Sequence, residues 1–326
     1  MTGKNTVTSL LDRALDVAIA PGYTRVGLSL RKRWWPADPP AGALAGRTVA
    51  VTGSNSGLGE AAALGVAQLG ARVLMLCRTL DKAEAAKRRI EAKVPGAQLE
   101  IIETDVADLD AVEQVAEQVL ATTDTLHALV HNAGVMPPER TTSPQGHEMT
   151  LACHVLGPHK LTYLLRNALA ADGDARVLWM SSGGMYSEKL RVDDPQFEQG
   201  EYDGTTAYAR TKRMQVHLAE RWAEELADLG VVVHSAHPGW ADTPGVQDSL
   251  PGFYKITKPF LRDAAEGADT IVWLAAAEQA GRTTGEFWQD RSPRPTAYLG
   301  FNKPEQSEID ELWRQVVDLT GAARGD

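Results

Sequence analysis

Thr48-Val49-Ala50-Val51-Thr52-Gly53-Ser54-Asn55-Ser56-Gly57-Leu58-Gly59 decides the fold. Its first half is apolar and β-branched with no polar alternation, the pattern of a strand buried on both faces. It runs straight into glycines spaced G-x-x-x-G-x-G, and an alanine-rich helical pattern follows over 57–69. A glycine turn lets backbone approach a pyrophosphate closely. The helix behind it offers unpaired N–H groups and the positive end of its dipole. Glycine clusters alone are routine in turns. Between a buried strand and a helix, this one predicts a dinucleotide site made of Gly53, Ser54, Asn55, Ser56, Gly57, Leu58 and Gly59.

Outward from that stretch, short apolar runs at 73–77, 99–103, 128–131, 177–180 and 231–234 alternate with helical patterns at 81–93, 109–120, 148–169 and 206–229. A last helix near 264–277 and a short strand near 286–288 complete the series. Buried strands alternating with helices predict an α/β fold, a doubly wound parallel sheet of the Rossmann type in three αβα layers. The partition expected is one domain over 46–326 with an N-terminal extension over 1–45. In the extension, Leu10, Leu11, Ala14, Leu15, Ala18 and Ile19 recur at helical spacing, and Pro21-Gly22 is expected to end that helix. Arg31-Lys32-Arg33-Trp34-Trp35 follows. Two readings stand: an arm packed on the domain, or a peripheral contact with a membrane surface or partner, which Arg and Lys beside Trp would suit.

The chain has 326 residues, with 33 basic against 43 acidic side chains and a formal charge of −10. That balance disfavours general nucleic-acid binding, which needs basic surface to neutralise phosphates. Two cysteines, Cys77 and Cys153, give no disulfide framework. No apolar run approaches the ~18 residues of a membrane span. Asp12, Arg13 and Asp16 interrupt the first apolar stretch, so it does not read as a signal peptide, and a cytoplasmic protein is expected. His147, Cys153, His154 and His159 do not converge on one helix face, and no metal site is expected.

Two features carry the chemistry. Tyr208 and Lys212 stand four apart in a helical pattern, so phenol and ammonium share one face. At ~4 Å and an effective dielectric of ~20 their attraction is about 4 kcal/mol, roughly three pKa units toward the phenolate. Such a Tyr exchanges a proton with an alcohol or carbonyl oxygen near neutrality. The second strand ends Leu76-Cys77-Arg78, without the carboxylate that would hold the ribose diol of NAD. Arg78 suits a 2′-phosphate, with Ser54 and Asn55 adding hydrogen bonds, so NADP is expected rather than NAD.

From about 46 to 288 the chain resembles the short-chain dehydrogenase/reductase superfamily. The resemblance rests on the glycine pattern, Asp105-Val106, Asn132-Ala133-Gly134, Ser181-Ser182, Tyr208-x-x-x-Lys212 and Pro238-Gly239, in that order. More narrowly, Ser181-Ser182-Gly183-Gly184-Met185-Tyr186, the run 237–246, Pro251-Gly252-Phe253 and Gln289-Asp290-Arg291 resemble the dehydrogenase/reductase member 12 group, beside the retinol dehydrogenase branch. The resemblance implies Tyr208 as general acid/base, Lys212 lowering its pKa and holding the nicotinamide ribose, and Ser182 orienting the substrate carbonyl. It implies Gly53, Gly57, Leu58 and Gly59 at the pyrophosphate, and Asp105 and Val106 at the adenine. Asn132, Ala133 and Gly134 would lie under the ribose, with Pro238, Gly239 and Thr243 at the carboxamide.

Two departures matter. A polar insertion at about 188–204 separates Ser182 from Tyr208 and either covers the site or decorates the surface. His154 stands where the resemblance expects Asn. It relays protons, leaves that to a backbone carbonyl, or has no catalytic role. Met185, Tyr186, Trp240, Phe253 and Tyr254 fall on loops over the sheet's C-terminal edge and suggest a lipophilic small-molecule substrate. The expectation is an NADP-dependent oxidoreductase moving a hydride between nicotinamide and a carbonyl or alcohol. The alternative is an NADP-binding sensor or scaffold without efficient turnover.

Overall fold

The structure, a computed structural model, describes residues 6–243, 247, 251–298 and 302–322. Within the resembling run 237–246, residues 244–246 lie outside the described residues, as does the side chain of Phe253.

Strands β1 (Thr48–Thr52), β2 (Arg72–Cys77), β3 (Leu99–Glu103), β4 (Ala128–His131), β5 (Arg176–Met180), β6 (Val232–Ala236), β7 (Phe287–Gln289) and β8 (Ser292–Arg294) form one 8-stranded sheet in the order β3-β2-β1-β4-β5-β6-β7-β8. All pairs are parallel except β7 with β8. β1, β4 and β5 are buried along their whole length, which is why their interiors are apolar, with Thr48, Thr52, His131 and Arg176 only at their ends.

Three helices precede the sheet: α1 (Thr6–Val17), α2 (Ile19–Tyr23) and α3 (Arg25–Arg31). Then α4 (Gly57–Gln68), α5 (Leu80–Lys93), α6 (Leu109–Thr122), α7 (Met149–Leu151), α8 (Gly157–Ala170), α9 (Gly204–Glu225), α10 (Pro251–Thr257), α11 (Ala264–Ala276) and α12 (Gln306–Thr320) follow in order. Ala62 and Val66 of α4, Ile90 of α5 and Ile271 and Leu274 of α11 pack with Val49, Val51 and Val73 on one face of the sheet. Val112 and Val115 of α6, Leu161 and Leu165 of α8 and Trp222 of α9 pack with Ala50, Leu129 and Val177 on the other. Three layers result, and the strand order turns back between β1 and β4. The crevice at the C-terminal ends of those two strands is where such sheets bind ligands.

The arm departs from expectation. Pro21-Gly22 does not stop the helical run but lies inside α2. Pro21 occupies the first turn, whose N–H groups have no intrahelical partner, so its missing donor costs nothing there. Gly22 is a close approach, since a Cβ on it would lie 2.1 Å from the Leu15 carbonyl oxygen. The inward face of α1 is charged. Asp12 and Asp16 are buried against Arg31 and Arg294. Leu10 and Val17, 62% and 75% exposed, face solvent.

The β7–β8 hairpin turns through Asp290 and Arg291, both at positive φ (52° and 53°). A two-residue hairpin turn wants that backbone, and it is costly for residues with a Cβ. Ion pairs hold it: Asp290 takes Arg31 at 2.8 Å and Arg262 at 2.6 Å, and Arg291 takes Asp269 at 2.7 Å and Asp38 at 2.6 Å.

Candidate active site

The glycine loop is shaped for close approach. Gly53 has φ +66°, and a Cβ on Gly59 would lie 2.2 Å from the Gly53 carbonyl oxygen and 2.4 Å from Asn132 Nδ2. The Asn132 side chain donates to the Thr52 carbonyl at 3.1 Å, and the Asn132 and Ala133 N–H groups donate to Thr52 Oγ1 at 2.9 and 3.0 Å. The loops after β1 and β4 are thus stitched together across the crevice. The Ser56 side chain makes no capping bond to the first turn of α4, so those N–H groups remain for an anion. Asn55 is half-buried, Ser56 exposed and Leu58 half-buried in the same turn.

Ser54 differs from expectation. Its hydroxyl is buried and engaged with Cys77 Sγ at 3.2 Å, so it braces the loop and is not free to receive a 2′-phosphate. Arg78 is 63% exposed and meets Asp105 at 3.3 Å. Such an exposed pair is weak and easily rearranged. Asp105 also accepts from the Ala107 N–H at 2.9 Å, which shapes the turn carrying the buried Val106.

Asp203 accepts from the Thr206 N–H at 2.7 Å and caps α9, which carries both Tyr208 and Lys212. Lys212 is buried, 3% exposed. Its Nζ donates to the Met180 carbonyl at 2.8 Å and to Gln215 Oε1 at 3.0 Å, and lies 5.4 Å from the Tyr208 ring centroid. Burial among neutral acceptors pulls its pKa down to about 8. Burial raises the half-buried Tyr208 phenol above its ordinary value, and a hydrogen bond from Ser182 offsets part of that rise. The expected lowering of Tyr208 by Lys212 is therefore not what this state of the protein shows. The ammonium is turned to Met180 and Gln215, and desolvation dominates.

Ser182 Oγ accepts from the Gly184 N–H at 3.1 Å, which fixes it at the end of β5. Ser181, by contrast, donates to the Lys212 carbonyl at 2.8 Å and is buried.

His154 lies in a π-turn, Ala152–Leu156, that joins α7 to α8. Its Nε2 accepts from the Val135 N–H at 3.0 Å, so the proton resides on Nδ1, which meets Thr211 Oγ1 at 2.7 Å. Burial and then the neighbouring Lys212 charge hold its pKa well below the usual range. A neutral ring with both nitrogens committed does not relay protons, so that reading falls. Its ring stands edge-on to Tyr208 with centroids 5.4 Å apart. It also crowds Gly134, where a Cβ would lie 3.0 Å from Nε2.

On the opposite wall, Gly239 has φ +74°, and its N–H donates to His237 Nδ1 at 3.0 Å. Arg262 donates to the Pro238 carbonyl at 3.1 Å. Thr243 is half-buried and its carbonyl accepts from the Gln247 N–H at 3.0 Å. Of the expected lining, Trp240 and Tyr254 are half-buried, and Tyr186 donates to the Pro295 carbonyl at 2.6 Å. Met185 does not line the site. It is fully buried with Val216 and Phe287, because the short helical turn after Ser182 points it into the core. The insertion is pinned to the domain: Tyr202 donates to buried Glu148 at 2.9 Å, and Arg210 stacks on Phe197 at 4.0 Å.

Sequence reading missed the arm's share in this site. Tyr23 is buried, its ring centroid is 4.5 Å from that of His237, and its carbonyl accepts from the Trp240 N–H at 2.8 Å. A Cβ on Gly183, next to Ser182, would lie 2.6 Å from the Tyr23 ring. It also missed Thr211 and Gln215. Their only signal is their place on the helix, one residue before and three residues after Lys212.

A glycine-lined crevice at the switch point of a parallel sheet, with Ser182, Tyr208 and Lys212 converging beside it, defines a dinucleotide-dependent oxidoreductase. The short chain dehydrogenase family model matches residues 47–252. The chain belongs to the short-chain dehydrogenase/reductase family and is an NAD(P)-dependent enzyme of it. It is 39% identical over 300 residues to dehydrogenase/reductase SDR family member 12 of Bos taurus, covering 90% of this chain and 94% of the relative. With retinol dehydrogenase 12 of Bos taurus it shares 33% identity, over 85% of this chain and 87% of the relative. Among solved structures, an uncharacterized protein from Mycobacterium Paratuberculosis superposes with TM-score 0.71 at 25% identity, covering 90% of this chain and 99% of that one. Among the described residues, no helix is long and apolar enough to cross a membrane.

Proposed function

We propose that the protein is an NADP-dependent carbonyl reductase or alcohol dehydrogenase for a lipophilic small molecule, with Tyr208 as its acid/base. The observation that carries the reading is the convergence of Ser182, Tyr208 and a buried Lys212 on one side of the crevice. The glycine loop and α4 would hold the pyrophosphate, and Arg78 would leave Asp105 to meet the 2′-phosphate. NADPH held there would supply the hydride. Ser182 holds the substrate oxygen, and Tyr208, kept protonated by burial, gives it a proton as the hydride reaches carbon. Trp240, Tyr254 and Tyr186 support an apolar substrate, and the similarity to retinol dehydrogenase 12 points the same way.

The outward apolar face of α1, together with exposed Arg13, Lys32 and Arg33, supports a peripheral contact of residues 1–45 with an anionic membrane surface. Replacing Leu10 and Val17 by Glu should then abolish co-sedimentation with anionic vesicles.

The test of function is a panel of lipophilic aldehydes and ketones assayed with NADPH and NADH side by side. Turnover preferring NADPH is expected. Tight NADPH binding without turnover of any member would favour a sensor or scaffold.

A further inference from the structure

Lys212 has three ammonium protons and two fixed acceptors, the Met180 carbonyl at 2.8 Å and Gln215 Oε1 at 3.0 Å. The same Gln215 turns its amide N–H to the His154 carbonyl at 2.9 Å. Gln215 and His154 show no exposed surface and Lys212 is 3% exposed, so the bridge is shielded from bulk solvent. The His154 carbonyl lies inside the π-turn, where the ordinary helical ladder is interrupted. The His154 ring is held from the other side by the Val135 N–H and Thr211.

We propose that Gln215 is a positioning residue of the reaction, a neutral clamp that ties the Lys212 ammonium to the His154 carbonyl and leaves one Lys212 proton directed toward the tyrosine and cofactor side. The inference rests on the proposed role of Lys212 and deepens it. An amide in this place accepts from the ammonium without adding charge. The nearby titratable groups on the packed elements are Tyr208 of α9, His154 of the π-turn and Cys153 beside it. His154 is held neutral and burial pushes the Cys153 thiol up to about 12, so neither supplies a counter-charge near neutral pH. Gln215 therefore sets both where the ammonium points and how easily it loses its proton.

The test is direct titration of Lys212 by NMR, with isotope-labelled lysine in the cofactor-free protein, for the unaltered chain, Gln215→Glu and Gln215→Leu. A carboxylate in place of the amide oxygen should move the Lys212 midpoint up by about one pH unit or more, and loss of the acceptor should move it down. The alkaline limb of kcat/KM should follow both shifts. Gln215→Glu is nearly isosteric, so its titration decides the matter even if the leucine variant does not fold. Midpoints unchanged in Gln215→Glu would overturn the proposal. If the midpoints move as expected while no panel substrate is turned over, the Gln215 clamp on the Lys212 ammonium stands and the functional reading fails instead.

Discussion

In the proposed mechanism Lys212 acts as a cation, and its pKa near 8 puts the loss of that charge close to physiological pH. The sign follows from burial. The neutral amine is favoured as pH rises through about 8, so kcat/KM should fall on the alkaline side with a limb near that value. A pH–rate profile checks this, and a limb left near the ordinary lysine value would contradict it. Arg78 gives a second prediction at this scale. Arg78→Ala should weaken NADPH binding by about tenfold or more while changing NADH binding little, because only the 2′-phosphate offers the guanidinium a bidentate partner. Fluorescence titration with both cofactors measures it, and equal losses for both would refute the cofactor preference. Residue type and order revealed these side chains from sequence, but their partners did not follow. Nothing in the sequence pairs Ser54 with Cys77, turns Met185 inward, or aims the Lys212 ammonium at Gln215, since each depends on which way a loop or helix faces after folding.

Among elements, the strands were the most legible. β1, β3 and β4 coincide with the expected runs, and β2, β5, β6 and β7 differ from them by a residue or two, because the central strands are buried on both faces and are mostly apolar; β3, at the sheet edge, is only half-buried and carries Glu100 and Glu103. β8 was not legible: it is three residues long and contains Pro293. α12 was missed, since the last helix expected was the one near 264–277, although Ile309, Leu312, Trp313 and Val316 stand at helical spacing; Trp313 packs against Trp222 with ring centroids 5.1 Å apart. The arm was half legible. Its first helix was expected, but a buried charge network cannot be seen in a helical pattern whose apolar residues turn outward. Arg31, with no exposed surface, bonds Asp12, Asp16, Asp290 and the Gly22 carbonyl. Arg31→Ala would strand buried carboxylates and should cost about 3–5 kcal/mol. Urea unfolding reads that loss, and a change under about 1 kcal/mol would show that the network is not structural.

At the scale of the whole molecule, the arm closes the site as well as the fold. The Gly22 carbonyl accepts from Arg31 at 3.0 Å, Arg262 at 3.2 Å and Gln289 at 3.2 Å. Through Tyr23, the same turn braces both the Ser182 loop and the Pro238-Gly239-Trp240 loop. Removing residues 1–45 should therefore lower both the unfolding midpoint and the turnover rate, and a truncated chain of full stability and activity would contradict this packing. All these parts serve one claim, that hydride reaches a carbonyl carbon while Tyr208 protonates its oxygen. The most direct measurement offers NADPH deuterated at C4 on the transferred face, with a panel substrate that the protein reduces, and follows the product by mass spectrometry. One deuterium should appear on the new carbinol carbon. Tyr208→Phe should slow its appearance by about 10²–10⁴-fold while NADPH affinity stays within a few fold. Deuterium transfer by Tyr208→Phe at a near-normal rate would contradict the account.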